Sequence, residues 1–223
     1  MAVETELLKS IPYFTGLSSS ELDSVRPHVL ERKAERGEII LYDGEPAEAL
    51  FFVISGAVKV FKTSVDGKDQ ILNIVRPGET FNDAPVLNGG PNQASAQAIV
   101  ATVLYELRKS EIGAILKNHP QIAMNAIKVL AGQANQLVSL VEDLSFKHVI
   151  GRVAKILLKH AADSSNPGLR LTQQEMAALA GSAREVVGRS LKSLEEDGVI
   201  RLERHRIVIA DKAALKELVE SAV

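Results

Sequence analysis

The chain has 223 residues and a net charge of -2, with 46% hydrophobic and 24% charged residues, which is ordinary for a globular protein of one or two domains. It contains no cysteine, so a disulfide framework, a thiolate-ligated iron–sulfur cluster and a thiol switch are excluded. The N-terminal residues carry glutamates rather than a secretory leader, and no apolar run is long enough to span a bilayer. We therefore expect a cytoplasmic protein with no membrane partner.

The charge is unevenly distributed along the chain. Residues 1–146 hold 13 Lys and Arg against 18 Asp and Glu, a net of -5, whereas residues 147–223 hold 13 against 10, a net of +3. Because phosphate contacts supply much of the affinity for nucleic acid, the sign of this difference favours DNA contact by the C-terminal part.

The first part of the chain predicts short helices followed by many short strands. In residues 4–30, Ser18 and Glu21 precede an apolar helical pattern, and a serine N-cap followed by a glutamate is a helix start. Glycine-containing turn signals then separate a series of apolar runs, the clearest of which are 39–42, 50–54, 57–61 and 70–75. Evenly spaced short strands over residues 37–108 predict a jelly-roll β-barrel.

Residues 120–146 predict one long helix that pairs with its own copy. Apolar residues recur there at alternating steps of three and four, which is the heptad spacing of a dimer seam. The seam residues are Ile127, Leu130, Ala134, Leu137, Val141 and Leu144. A helix of roughly 27 residues would be about 40 Å long, more than a barrel of this size covers. We therefore favour a homodimer over the alternative of an amphipathic helix that lies on the barrel.

Residues 171–194 predict a helix-turn-helix. Thr172 and Glu175 form a capping box at the start of the first helix, Gly181 ends that helix, and Ser182 with Glu185 predicts a second capping box. The second helix carries an apolar face and a charged face: Val187, Leu191 and Leu194 against Arg184, Glu185, Gly188, Arg189 and Lys192. This is the arrangement of a recognition helix, and the alternative is a helical hairpin with a solvated charged face.

A β-hairpin is predicted directly after the recognition helix. Apolar runs at 199–203 and 206–209 flank Arg204 and His205, which gives the hairpin a basic tip. Such a wing typically contacts phosphate, which positions the protein on DNA without specifying sequence. The hairpin favours the DNA-binding interpretation over the solvated one.

On these motifs the chain resembles the superfamily of the cyclic-AMP receptor protein and the fumarate–nitrate reduction regulator (Crp/Fnr). The resemblance rests on residues 36–40, 44–47, 52–60 and 77–81 in the sensor half and on 151–154, 171–175 and 183–189 in the DNA-reading half. It implies an α+β fold with three parts. These are an N-terminal jelly-roll, cyclic-nucleotide-binding-like β-barrel (1–119), a long dimerisation helix (120–146) and a C-terminal winged helix-turn-helix (147–223).

The resemblance implies a bacterial transcription regulator rather than an enzyme, with double-stranded DNA, a second copy of the chain and RNA polymerase as partners. Family members with Arg-Glu-x-x-x-Arg at positions 184–189 read a TGTGA-like half-site in a palindrome. Arg184 and Arg189 would then contact guanines and Glu185 a cytosine. The expected DNA-binding residues are Arg184, Glu185, Arg189, Lys192, Thr172, Ser182 and Arg204.

The family's cyclic-AMP-binding residues are replaced in this sequence. The signature Phe-Gly-Glu, whose glutamate holds the ribose, reads Phe81-Asn82-Asp83, and the later Arg-Ser or Arg-Thr, whose arginine neutralises the phosphate, reads Gln93-Ala94. No Lys or Arg occurs between positions 76 and 108, and a buried phosphate without a cation is costly. The polar pair that reads adenine falls at Leu137 and Val138. We therefore expect no binding of cyclic AMP.

Three hypotheses for function follow. The first is regulation by an unidentified small-molecule effector that moves the DNA-binding heads about a hinge near residues 146–148. The second is a ligand-independent activator in which Leu137 and Val138 fill the pocket and hold the dimer competent to bind DNA. The third is a cupin-like enzyme, which the absence of histidine between positions 28 and 119 disfavours, as it does haem. We expect no catalytic residues, no metal and no iron–sulfur cluster. The candidate effector pocket comprises Asn82, Asp83, Ala84, Gln93, Ala94, Leu137 and Val138.

Overall fold

The structure is a computed structural model that describes residues 3–160, 171–203 and 206–220. The chain divides into two compact units. The first comprises Met1–Lys62 and Asn73–Gln136, and the second comprises Thr63–Leu72 and Leu137–Val223. Each unit is described by itself.

The first unit is built on two four-stranded sheets. The strands are β1 (Val29–Ala34), β2 (Ile39–Leu41), β3 (Ala49–Ser55), β4 (Val58–Thr63), β5 (Asp69–Val75), β6 (Thr80–Phe81), β7 (Ser95–Ala98) and β8 (Thr102–Arg108). One sheet has the order β1-β8-β3-β6 and the other the order β2-β7-β4-β5. Strand β8 pairs antiparallel with β1 and with β3, and β7 with β2 and β4. The predicted jelly-roll architecture is therefore confirmed.

Helices cover one face of the first sheet. They are α1 (Thr5–Lys9), α2 (Ser19–Val25), α3 (Asp83–Asn88), α4 (Lys109–Asn118) and the first turns of α5 (Pro120–Phe146), with short 3-10 helices at Pro12–Phe14 and Arg26–His28. The predicted N-cap is confirmed, because the Ser18 hydroxyl accepts from the Glu21 amide and the Glu21 carboxylate accepts from the Ser18 amide. The observed bounds of α5 are those predicted from the heptad pattern.

Strand β3 explains why the unit has two hydrophobic clusters. Successive side chains of a strand point to opposite faces of its sheet. Phe51 and Val53 therefore join the cluster enclosed by the two sheets, whereas Leu50 and Phe52 pack against the helices. This strand is buried on both faces, so its sequence is continuously apolar rather than alternating.

Four strands were not among the clearest sequence signals. Strand β1 lies partly within the region predicted as short helices, and its central residues Glu31, Arg32 and Lys33 are charged. It lies at the edge of its sheet, next to β8. Its charged side chains form ion pairs, Glu31 with Lys33 and Arg32 with Glu38. Strands β6, β7 and β8 lie within the predicted strand region but were not singled out there. In β7, the buried residues are the small Ala96 and Ala98, which give a weak hydrophobic pattern.

The second unit contains the helix-turn-helix. Its elements after α5 are α6 (Val149–His160), α7 (Gln173–Ala180), α8 (Arg184–Glu196), β9 (Ile200–Glu203), β10 (Arg206–Ile209) and α9 (Lys212–Glu220). One hydrophobic cluster holds them together, with Val153, Leu157, Ala180, Leu191 and Leu215 at its centre. Strands β9 and β10 form the predicted antiparallel hairpin. Within the described ranges, no helix is long and apolar enough to cross a membrane.

Candidate DNA-binding surface and effector pocket

The first helix of the helix-turn-helix begins and ends at the predicted residues. The Thr172 hydroxyl accepts from the Glu175 amide at 3.1 Å, and the Glu175 carboxylate accepts from the Thr172 amide at 2.7 Å. Gly181 closes the helix with φ 58 and ψ 45, a left-handed conformation that glycine adopts readily. The Ser182 amide then donates to the Ala177 carbonyl at 3.0 Å, which satisfies one of the last carbonyls of α7.

The prediction of a second capping box at Ser182 is wrong. The N-cap of α8 is Ala183, which has no side-chain oxygen, and the helix begins at Arg184. The cause is the turn itself, because the Ser182 amide completes the C-terminal end of α7. Ser182 consequently stands one residue before the capping position.

Substitution of Ala183 by serine is expected to stabilise the protein. A serine at this N-cap can accept from a backbone amide in the first turn of α8, and such caps contribute about 1 kcal/mol to the free energy of unfolding. Urea denaturation of Ala183→Ser measures the gain. The matched control is Ser182→Ala, for which we expect a change within about 0.5 kcal/mol. A loss of about 1 kcal/mol in the control with no gain in Ala183→Ser would restore Ser182 as the cap.

Helix α8 has the two faces that the sequence predicts. Val187, Leu191 and Leu194 are buried in the hydrophobic cluster of the second unit. On the other face, the side chains of Arg184, Glu185, Arg189 and Lys192 are exposed. Lys192 makes an exposed ion pair with Glu196 at 3.5 Å. The charged face is thus free to enter a groove while the apolar face holds the helix in place.

The wing is attached to the end of the recognition helix by a residue that sequence reasoning missed. The Glu195 carboxylate of α8 accepts from the Leu202 amide of β9 at 2.8 Å. Only the hairpin itself was predicted, because Glu195 and Leu202 lie in different elements and become neighbours only when β9 folds back against the end of α8. Arg204, the predicted phosphate-contacting residue of the wing, lies outside the described residues.

In the first unit, Asn82 occupies the position of the glycine in the family's cyclic-nucleotide signature. Its backbone is left-handed, with φ 67 and ψ 20, a conformation that asparagine tolerates better than most residues. Its amide nitrogen donates to the Ala49 carbonyl at 2.9 Å and to the Asn92 side-chain oxygen at 3.0 Å. Asn92, which is buried, donates in turn to the Tyr42 carbonyl at 3.0 Å. The side chain of Asn82 therefore bonds within the protein.

Asp83 is the centre of a buried hydrogen-bond network. One carboxylate oxygen accepts from the Tyr13 hydroxyl at 2.5 Å and from the Thr80 hydroxyl at 2.8 Å. The other accepts from the Gln133 side-chain amide of α5 at 2.9 Å. Burial, the charge of Asp83 and the hydrogen bond to it together raise the pKa of Tyr13, so its hydroxyl remains a donor. Sequence reasoning missed Tyr13 and Gln133, which lie 70 and 50 residues from Asp83.

The remaining pocket residues do not supply a cation. Ala84 is half-buried, Gln93 is exposed and Ala94 is buried. Leu137 and Val138 belong to the second unit, where they are 51% and 57% exposed. Among the described residues, no buried side-chain nitrogen or oxygen lacks a hydrogen-bond partner. The polar side chains of Asn82 and Asp83 are thus bonded within the chain.

The predicted seam residues form an exposed apolar surface on α5. Ile127, Leu137 and Val141 are 58%, 51% and 61% exposed. Ala134 is exposed, Leu130 is half-buried and Leu144 is 37% exposed. The buried residues of this helix are confined to its first two turns, at Ile122, Asn125 and Ala126. After its first two turns, α5 contributes no fully buried side chain.

A jelly-roll barrel, a long helix and a winged helix-turn-helix with a charged recognition face define a DNA-binding regulator with a sensor domain. Comparison with known proteins identifies the family. The model of the cyclic nucleotide-binding domain matches residues 31–119, and the model of the Crp-like helix-turn-helix domain matches residues 151–218. The chain belongs to the Crp/Fnr family, whose members are transcription regulators and not enzymes.

Individual relatives match along almost the whole chain. The cyclic AMP receptor protein of Thermus thermophilus is 34% identical over 95% of this chain and 98% of that protein. The CRP-like cAMP-activated global transcriptional regulator of Mycobacterium tuberculosis is 30% identical over 94% and 97%. The structure of FixK2 from Bradyrhizobium japonicum superposes with a TM-score of 0.75 at 26% identity, over 85% of this chain and 96% of that one.

Proposed function

We propose that this regulator binds a TGTGA-like palindrome as a homodimer and acts without cyclic AMP. The observation that carries the proposal is the exposed face of α8 with Arg184, Glu185 and Arg189. Each arginine offers a planar fork of donors that matches O6 and N7 of guanine, and a glutamate accepts from the amino group of cytosine. The proposed partners are double-stranded DNA, a second copy of the chain and, at the promoter, RNA polymerase.

The exposed apolar side of α5 supports the homodimer. Water would solvate Ile127, Leu137 and Val141 in an isolated chain, and contiguous apolar surface of this kind typically marks an interface. The charged residues in the sequence of this helix are Lys128, Glu142 and Asp143 alone. A second copy is the fitting occupant, because heptad spacing lets two identical helices pack their apolar sides together. A two-fold dimer could then present two recognition helices about 34 Å apart, one turn of DNA.

The state of Asp83 supports a pocket that does not take cyclic AMP. The names of the relatives from Thermus and Mycobacterium refer to this nucleotide. In this chain the carboxylate at the ribose position is occupied by Tyr13, Thr80 and Gln133. A ribose hydroxyl would have to displace these donors, and the phosphate would meet Gln93 instead of an arginine.

The hydrogen bonds of Asn82 and Asp83 favour the hypothesis of a ligand-independent activator over that of control by another effector. The amide nitrogen of Asn82 and both carboxylate oxygens of Asp83 bond to side chains or carbonyls of the chain, so these donors and acceptors are already used within the protein. A buried polar network that is fully satisfied holds one arrangement of the groups it joins. We propose that this arrangement keeps the dimer competent to bind DNA.

Substitution of Asp83 by asparagine is expected to destabilise the ligand-free protein by about 1.5–3 kcal/mol. The change replaces hydrogen bonds to a charged acceptor with neutral ones, and the new NH2 group must face either the Tyr13 and Thr80 hydroxyls or the Gln133 amide, all of which are donors to Asp83. Urea denaturation without any nucleotide measures the loss. The control is Glu45→Gln, an exposed carboxylate whose replacement should change stability by less than about 0.5 kcal/mol.

A second measurement tests directly whether the protein binds cyclic AMP. A ligand at 100 times its Kd stabilises the folded state by about 2.7 kcal/mol, so a receptor would show a clear rise in Tm. We expect no rise for this protein at about 1 mM nucleotide. An Asp83→Asn loss no larger than that of the control, together with a rise in Tm, would show instead that Asp83 is free to bind a ligand.

A further inference from the structure

The corner between α5 and α6 contains a cluster of charges, here called the charged elbow: Asp143, Lys147, Arg152 and Lys155. The Lys155 ammonium forms an ion pair with the Asp143 carboxylate and donates to the Ser139 hydroxyl at 3.0 Å. Lys147 pairs with the other oxygen of Asp143 at 3.1 Å. The side chains of Asp143 and Lys147 are only 14% and 19% exposed, so salt screens these pairs less than it screens surface pairs.

Arg152 joins three helices at this corner. Its guanidinium donates to the carbonyls of Lys147 at 2.5 Å and of Asp143 at 3.5 Å, and to the Ala180 carbonyl at 2.7 Å. The carbonyls of the last turn of a helix carry the negative end of its dipole, so a cation there is stabilised. One cation on α6 therefore ties the end of α5 to the end of α7.

The turn of the helix-turn-helix is packed closely against the same end of α5. A Cβ atom built on Gly181 would lie 2.6 Å from the Leu144 side chain, which is closer than real contacts allow. Gly181 also adopts the positive φ that disfavours other residues. Lys147 and His148 alone connect α5 to α6. The ion pair of Asp143 with Lys155 and the packing of Gly181 against Leu144 therefore both hold the second unit's helices to the end of α5.

We infer that Lys155 and Asp143 are positioning residues that set the direction of the recognition helix relative to the C-terminal end of α5. This inference rests on the proposed dimer, because the two α5 helices would then pass their orientation to the two recognition helices. A fixed elbow holds those helices at one separation and makes binding selective for one spacing of the half-sites. If the elbow is loosened, each recognition helix can still bind its half-site, but the protein loses selectivity for the spacing between the half-sites.

The test compares Lys155→Gln and Asp143→Asn on palindromes whose central spacer is optimal, one base pair shorter or one longer, and on a duplex with a single half-site. The two substitutions change the net charge in opposite directions, so a loss common to both cannot come from attraction to DNA. Lys216→Gln, at an exposed lysine of α9, is the matched control for a lost positive charge. Thermal unfolding of each variant checks that the fold is retained.

We expect both variants to lose about tenfold of the preference for the optimal spacer, with binding to the single half-site unchanged apart from the loss seen in Lys216→Gln. Unfolding alone would lower half-site binding and spacer preference together. Variants that keep the wild-type spacer preference would overturn the role of the elbow. A wild-type protein with no preference for the palindrome would overturn the proposed function instead.

Discussion

Arg184→Ala and Arg189→Ala are each expected to weaken binding to the palindrome and to relax base choice at the contacted position. A bidentate arginine–guanine contact contributes about 1–3 kcal/mol of discrimination, and a dimer loses it in both half-sites. The total expected loss is therefore about 2–6 kcal/mol, or roughly 30-fold to more than 10,000-fold in Kd. Both side chains are exposed on α8, so the fold should survive their truncation.

The measurement is fluorescence anisotropy on the palindrome and on duplexes with one guanine replaced in each half-site. For each variant, the wild-type penalty for one particular replacement should disappear. Lys216→Ala is the control, because it removes a positive charge from α9 and should weaken all duplexes equally. Unchanged sequence preference in both arginine variants would mean that α8 is not the helix that reads the bases.

Leu137→Glu is expected to convert the dimer into monomers. The substitution would place two carboxylates together in an apolar seam, and an unpaired buried charge costs several kcal/mol. We expect the Kd for dimerisation to rise at least about 100-fold, which corresponds to about 2.7 kcal/mol. Binding to the palindrome should fall with it, since a monomer contacts one half-site at a time.

Sedimentation velocity over a range of concentrations measures the dimer, and Asn135→Glu is its matched control. Asn135 is exposed on the same helix but does not belong to the heptad seam, so the same charge there should leave the dimer intact. A dimer that survives Leu137→Glu and dissociates in the control would place the interface on another side of α5.

Local patterns predicted much of the fold. Thr172 and Glu175 stand three residues apart in sequence and bond across one helical turn, so the start of α7 follows from spacing alone. The ends of α5 follow from Pro120 and the end of the heptad pattern. The N-cap of α8 was not predictable in this way, because Ser182 is used by the end of the preceding helix.

Long-range contacts account for what sequence did not predict in the candidate sites. Sequence comparison marked Asp83 as a shortened substitute for a glutamate. The hydrogen bonds from Tyr13 and Gln133 to Asp83 were not predictable, because folding brings these three distant segments together. The ion pair of Asp143 with Lys155 likewise joins two different helices. The i, i+4 spacing rule applies only within one helix, so it could not predict this pair.

The central claim is that this chain reads a TGTGA-type palindrome as a dimer with no effector bound. The most direct measurement is anisotropy with protein shown by mass spectrometry to carry no small molecule, at about 0.15 M salt, on the palindrome and on a duplex with both half-sites scrambled. We predict at least a roughly 1,000-fold preference for the palindrome, unchanged by cyclic AMP. Equal, weak binding to both duplexes until a small molecule is added would contradict it.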